Sequence, residues 1–110
     1  MIQKKLPYGP EGLAEIKQIL NENRNDSYSL SLYDILTDKV ARIECPFEEM
    51  LQIICFAIDM EHDYPDWIGI DETSKSYIVG LRFTRGRLET PAVYKTEDGK
   101  LKRIHFDNEA

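Results

Sequence analysis

The sequence lacks a hydrophobic run long enough to concern a bilayer. Its longest, Ile53 to Ile58, is six residues, against the ~20 that a membrane-spanning helix needs. The charged start, Met1 to Lys5, has no apolar segment behind it that would make a secretory leader. Cysteine is scarce, with only Cys45 and Cys55. On one helix, a rise of ~1.5 Å per residue separates them by roughly 15 Å, too far for a disulfide. Free thiols without a leader predict a cytoplasmic location and no membrane partner. The Gly-rich phosphate loop, the Gly-x-Ser-x-Gly elbow and the paired Cys-x-x-Cys motif are all missing, and with them the usual signatures of nucleotide binding, serine hydrolysis and structural zinc.

The most informative absence is cationic. Residues 43–74 contain nine acidic side chains and no Lys or Arg, for −9, whereas residues 1–42 balance six against six and residues 75–110 hold eight basic and five acidic, for +3. The sum is the chain's net charge of −6. Such asymmetry is either cancelled within the fold or presented outward as a field that steers partners. An acidic total argues against nucleic acid, since a pI near 4.9 repels phosphate despite Arg82, Arg85, Arg87, Lys100, Lys102 and Arg103.

What is present suits one globular domain of 110 residues, 42% hydrophobic, with 1–8 as a lead-in arm and 107–110 as a tail. Pro10 to about Asn23 carries Leu13, Ile16, Ile19 and Leu20 at the spacing of a one-sided helix. Tyr28, Leu30 and Leu32 alternate with serines as a strand with one buried face, Thr37 to Lys39 makes a turn, and Val40 to Glu44 returns; Ser31 to Leu36 also fits a short helix. Pro46 to Met60 reads as the most deeply buried helix. Phe47, Met50, Leu51, Ile54 and Ile58 form one apolar stripe, and Ile53, Phe56 and Met60 form a second nearly opposite. The second stripe faces either the amphipathic N-terminal helix, in a sandwich with the sheet beneath, or a second copy, as a dimer face. Trp67 to Asp71 and Ser76 to Thr84 form a hairpin, Leu88 to Lys95 is an edge or bulged strand because of Pro91, and Glu97-Asp98-Gly99 turns into a closing strand, Lys100 to Phe106. The order α-β-β-α-β-β-β-β makes an α+β fold with two helices packed on a mainly antiparallel sheet.

Ile68-Gly69-Ile70-Asp71-Glu72 resembles the first catalytic strand of ribonuclease H-like nucleases. That resemblance implies a divalent metal held by Asp71. A hard cation needs several oxygens, so the enzymatic alternative joins Asp71 to the Glu61-His62-Asp63 loop; the simpler reading makes Asp71 to Lys75 a turn. Cys45, at a helix start, is a candidate nucleophile, weakened because Pro46 removes an amide that would stabilise a thiolate.

These features favour a non-enzymatic, stoichiometric protein-binding module of inhibitor or immunity-protein type, without cofactor, for a basic partner such as a nuclease or toxin. Asp59, Glu61, Asp63, Asp66, Asp71 and Glu72 steer the partner, and Tyr64 or Trp67 is buried on contact. Asp59, Glu61 and Asp63 also crowd a helix C-terminus, where carboxylates are locally unfavourable. A third expectation is a homodimeric assembly protein joined through Ile53, Phe56 and Met60.

Overall fold

The computed structural model describes residues 2–58, 63–83, 93–104, 106 and 108–109. Its elements are β1 (Ile2–Lys5), α1 (Pro10–Glu22), β2 (Ser29–Asp34), β3 (Lys39–Ile43), α2 (Phe47–Ala57), β4 (Tyr64–Asp71), β5 (Ser76–Arg82), β6 (Val93–Glu97), β7 (Lys100–Ile104) and β8 (Asn108–Glu109). The α+β class and the expected element order hold. Two short strands extend that order at its ends. The lead-in arm is partly strand: β1 pairs antiparallel with β4, Lys5 opposite Trp67. In the tail, Asn108 and Glu109 pair with Val40 and Lys39.

Six strands form one sheet in the order β1-β4-β5-β2-β3-β8. All its pairings are antiparallel except β2 with β5. The chain from β2 reaches β5 only after β3, α2 and β4, a crossover long enough to bring the two strands parallel. Being central, β2 is shielded more completely than its alternation suggests, and Ser29, Leu30, Ser31, Leu32 and Asp34 are all buried. Residues Ser31 to Asp34 are strand, which removes the short-helix alternative.

Both helices lie on one face. Leu30, Leu32, Ala41, Ile43, Ile68, Tyr77, Val79 and Leu81 point into a core that also contains Ile16 and Leu20 of α1 and Met50, Ile53, Ile54 and Ala57 of α2. Gly12 lets the first turn of α1 approach closely, because a methyl group there would overlap the Pro7 carbonyl. Tyr77 ties the end of α1 to the sheet: its hydroxyl donates to the Asn23 carbonyl at 2.5 Å and accepts from the Asn25 N–H at 2.7 Å.

The closing hairpin does not extend the main sheet. β6 and β7 form a separate two-stranded sheet, joined at Asp98 (φ 53) and Gly99 (φ 75), the backbone that a tight hairpin requires and that Asp-Gly supplies. This hairpin packs on α2 through β6, with Val93 fully buried. The N-terminal helix was expected to give α2 its second apolar neighbour; it is instead mainly this hairpin that does so, because β6 packs along α2 where α1 only touches it. The expected strand Leu88 to Lys95 falls mostly outside the described residues, as does Pro91.

Candidate functional site

Among the described residues, the candidate acids do not form a single patch. Asp63, Tyr64 and Asp66 stand at the start of β4, and Asp71 and Glu72 at its end. Eight residues at ~3.3 Å each put Asp63 and Asp71 roughly 26 Å apart. Each acid also has its own circumstances. Asp63 is 6% exposed and engaged within the fold. Asp66 lies 3.7 Å from the Arg82 guanidinium. Asp71 accepts from the Thr73 N–H at 3.0 Å and the Ser74 hydroxyl at 2.9 Å, and these bonds, the Ser74 one foremost, hold its carboxyl below the usual carboxylate range. Glu72 is exposed. Asp59, Glu61, His62 and Met60 lie outside the described residues.

The same 26 Å argues against the shared ion of the enzymatic alternative. Asp71 cannot reach a metal held by Asp63, and among the described residues no group of three His, Cys, Asp or Glu side chains is placed to hold one. Asp71 closes its own turn, as the simpler reading expected.

Other groups are likewise occupied. Glu48, from the cation-free stretch, is met by Arg24 at 2.5 Å, and Arg24 also bonds Asp26 at 2.7 Å while lying 4.5 Å over the Phe47 ring. Glu48 is held below its ordinary range by its own backbone N–H and then by Arg24. A groove of about 240 Å³ between the helices includes Lys17, Arg24 and Phe47 in its lining, but its guanidinium is already paired. Burial, then the nearby Glu49 carboxylate, push the Cys45 thiol up to about 11, which disfavours the thiolate that a nucleophile needs. The expected dimer stripe is split. Ile53 is 2% exposed and belongs to the chain's own core, so it is closed to a partner, whereas Phe56 is 46% exposed.

Among the described residues, no element packs on the other side of the sheet. Side chains alternate along strands, so residues between the core positions face away from both helices. The register sets them in rows: Lys5, Trp67, Gly80, Tyr33 and Val40 in one, and Gln3, Gly69, Ile78, Ser31 and Arg42 in the next. A bulge between Pro65 and Trp67 re-aims Trp67 onto β5. There the indole lies over Gly80, in the space a methyl group would need, and beside Tyr33 with ring centroids 5.7 Å apart and planes at 38°. The Tyr33 hydroxyl donates to Asp38. At the same end Tyr64 sits opposite Arg82 and meets Tyr8 edge-on at 4.5 Å.

Trp67 was a sequence candidate, but Tyr33, Ile78 and Gly80 were not. A glycine inside a strand signals a bulge or close approach, and Gly80 is that signal; the sequence does not say which side chain approaches. No known protein family, curated protein or solved structure matches the chain. Among the described residues no helix is long and apolar enough to cross a membrane.

Proposed function

We propose that the protein is a small stoichiometric protein-binding module of inhibitor or immunity type, acting in the cytoplasm on a basic partner such as a nuclease or toxin. The observation that carries this reading is the aromatic shelf of Trp67 on Gly80 beside Tyr33, on the sheet face turned away from both helices. Trp, Tyr and Arg dominate the energetics of protein interfaces, and Trp67 and Tyr33 share this face with Arg42 and Arg82. The net charge of −6 supplies long-range attraction for a basic partner. Steering thus belongs to the whole chain, and anchoring to the shelf. The described acids of the 59–72 stretch are mostly engaged in the fold's own contacts and contribute to the field more than to the contact.

The test is quantitative capture from the source cell on the full-length chain. A basic protein retained at one-to-one stoichiometry, lost on Trp67→Ala and associating more slowly as salt rises, supports the reading. Circular dichroism confirms that the variant is folded. Retention indifferent to Trp67, or no saturable protein partner, overturns it.

A further inference from the structure

We infer that the Trp67 shelf is the seat of an arginine from the basic partner, whose guanidinium stacks on the indole face turned away from the sheet. This rests on the proposed binding function and names the chemical group that the shelf takes.

The indole lies face down. A methyl group at Gly80 would overlap Cε2, Nε1 and Cδ2 of Trp67 together. One carbon meets three atoms around the ring fusion only when it stands over the face of the ring, so the indole lies flat on the β5 backbone. Its other face points away from the sheet, where no described element packs. Trp67 is accordingly half-buried, with one face on Gly80 and the other open. The electron-rich face of an aromatic ring attracts a cation placed over it, and Trp does so best. A planar guanidinium can lie parallel to such a face, whereas an ammonium brings only a compact point charge.

The surroundings of the ring favour a cation. Strand order is β1-β4-β5-β2, so an indole that leans from β4 onto β5 leans away from Lys5, its register partner on β1. Arg82, further along β5, is held by Asp66 at 3.7 Å. On the β2 side Tyr33 adjoins the indole with ring centroids 5.7 Å apart, and its hydroxyl donates to the Asp38 carboxylate. Donation to an anion enriches the phenol ring in electrons and fixes a negative charge at the rim of the shelf. The β2–β3 turn holds that charge in place: Asp38 has a left-handed backbone (φ 58), and its N–H donates to the Asp34 carbonyl at 2.9 Å. Asp38 is exposed, and no described Lys or Arg stands within ion-pairing distance of it. The shelf thus offers two aromatic rings and a carboxylate at its rim, a set complementary to an arginine.

Trp67 is the only tryptophan, so the NMR signal of its indole N–H reports on the seat directly. The full chain is titrated, at constant ionic strength, with the blocked tripeptide Gly-Arg-Gly. The signal should shift saturably, and the arginine peptide should bind at least about threefold more tightly than its citrulline counterpart, which keeps the plane and loses the charge. It should also bind more tightly than its lysine counterpart, which keeps the charge and loses the plane. Asp38→Asn should weaken the arginine peptide by about threefold and leave the citrulline peptide unchanged. Glu22→Gln, which removes the same charge at the end of α1, should alter neither, and a native spectrum without peptide shows that each variant is folded. An indole signal that does not move, a citrulline or lysine peptide that binds as well as arginine, or equal effects of Asp38→Asn and Glu22→Gln overturns the inference. The two readings fail separately. A captured partner that depends on Trp67, with an indole indifferent to the arginine peptide, refutes the arginine seat alone. An arginine peptide that seats on Trp67 in a chain that retains no basic protein refutes the binding function alone.

Discussion

The two faces of the main sheet are built from the same strands and follow opposite rules. Toward the helices Ile68, Tyr77, Val79, Leu30 and Ala41 are apolar and buried, and stability comes from volume filled. Away from them the residues are unequal in size, Trp67 and Tyr33 beside Gly69, Gly80 and Ser31, and what matters is relief. The difference shows why burial alone is a poor guide to role here. Ser31 at 6% exposure and Ile54 at 0% are both buried, yet Ser31 is small and shaded on the outer face whereas Ile54 sits in the core.

The strongest way to sharpen that contrast is a pair of isoleucines. Ile54→Ala should cost about 2–5 kcal/mol of unfolding free energy, as buried aliphatic truncations do. Ile78→Lys, half-buried on the outer face, should cost less than that; chemical denaturation of the two measures the gap, and equal losses would erase the distinction between the faces. Next in size is Tyr77→Phe, which strands the Asn23 carbonyl and the Asn25 N–H at the sheet's junction with α1 and should cost about 1–3 kcal/mol. Glycine-to-alanine exchanges test close approach on each side. Gly12→Ala should destabilise despite alanine's better helix propensity, since its methyl group meets the Pro7 carbonyl, and Gly80→Ala should lift the indole and change Trp67 emission; about 1–3 kcal/mol each is the scale of such overpacking.

The smaller effects concern protons. The folded-state pKa of Asp71 is depressed, chiefly by the Ser74 hydroxyl, so its contribution to stability is present above the unfolded value and is lost as pH falls through the folded one. Asp71→Asn should therefore flatten the stability profile below about pH 4, read by denaturation at a series of acidic pH values. Thiol labelling at mildly alkaline pH should modify exposed Cys55 before Cys45, whose thiol is raised to about 11; Cys45 reacting first would mean that the start of α2 is open.

Local chemistry by itself determined the elements and their punctuation. The 3.6-residue spacing of Leu13, Ile16, Ile19 and Leu20 yields α1, the alternation from Tyr77 to Phe83 yields β5, and Asp98-Gly99 turns where an Asp-Gly pair turns cheaply, because each of these depends on neighbours a few residues away. Only the tertiary structure decided how distant pieces meet. It drew Ile2–Lys5 into the sheet, laid β2 parallel to β5, set the last hairpin on α2, and put Asp63 and Asp66 at one end of β4 and Asp71 and Glu72 at the other. It also brought Tyr33 and Gly80 to Trp67. These outcomes rest on strand pairings between segments dozens of residues apart, whose register is chosen by the burial of the whole sheet face, and no stretch of local periodicity encodes that choice.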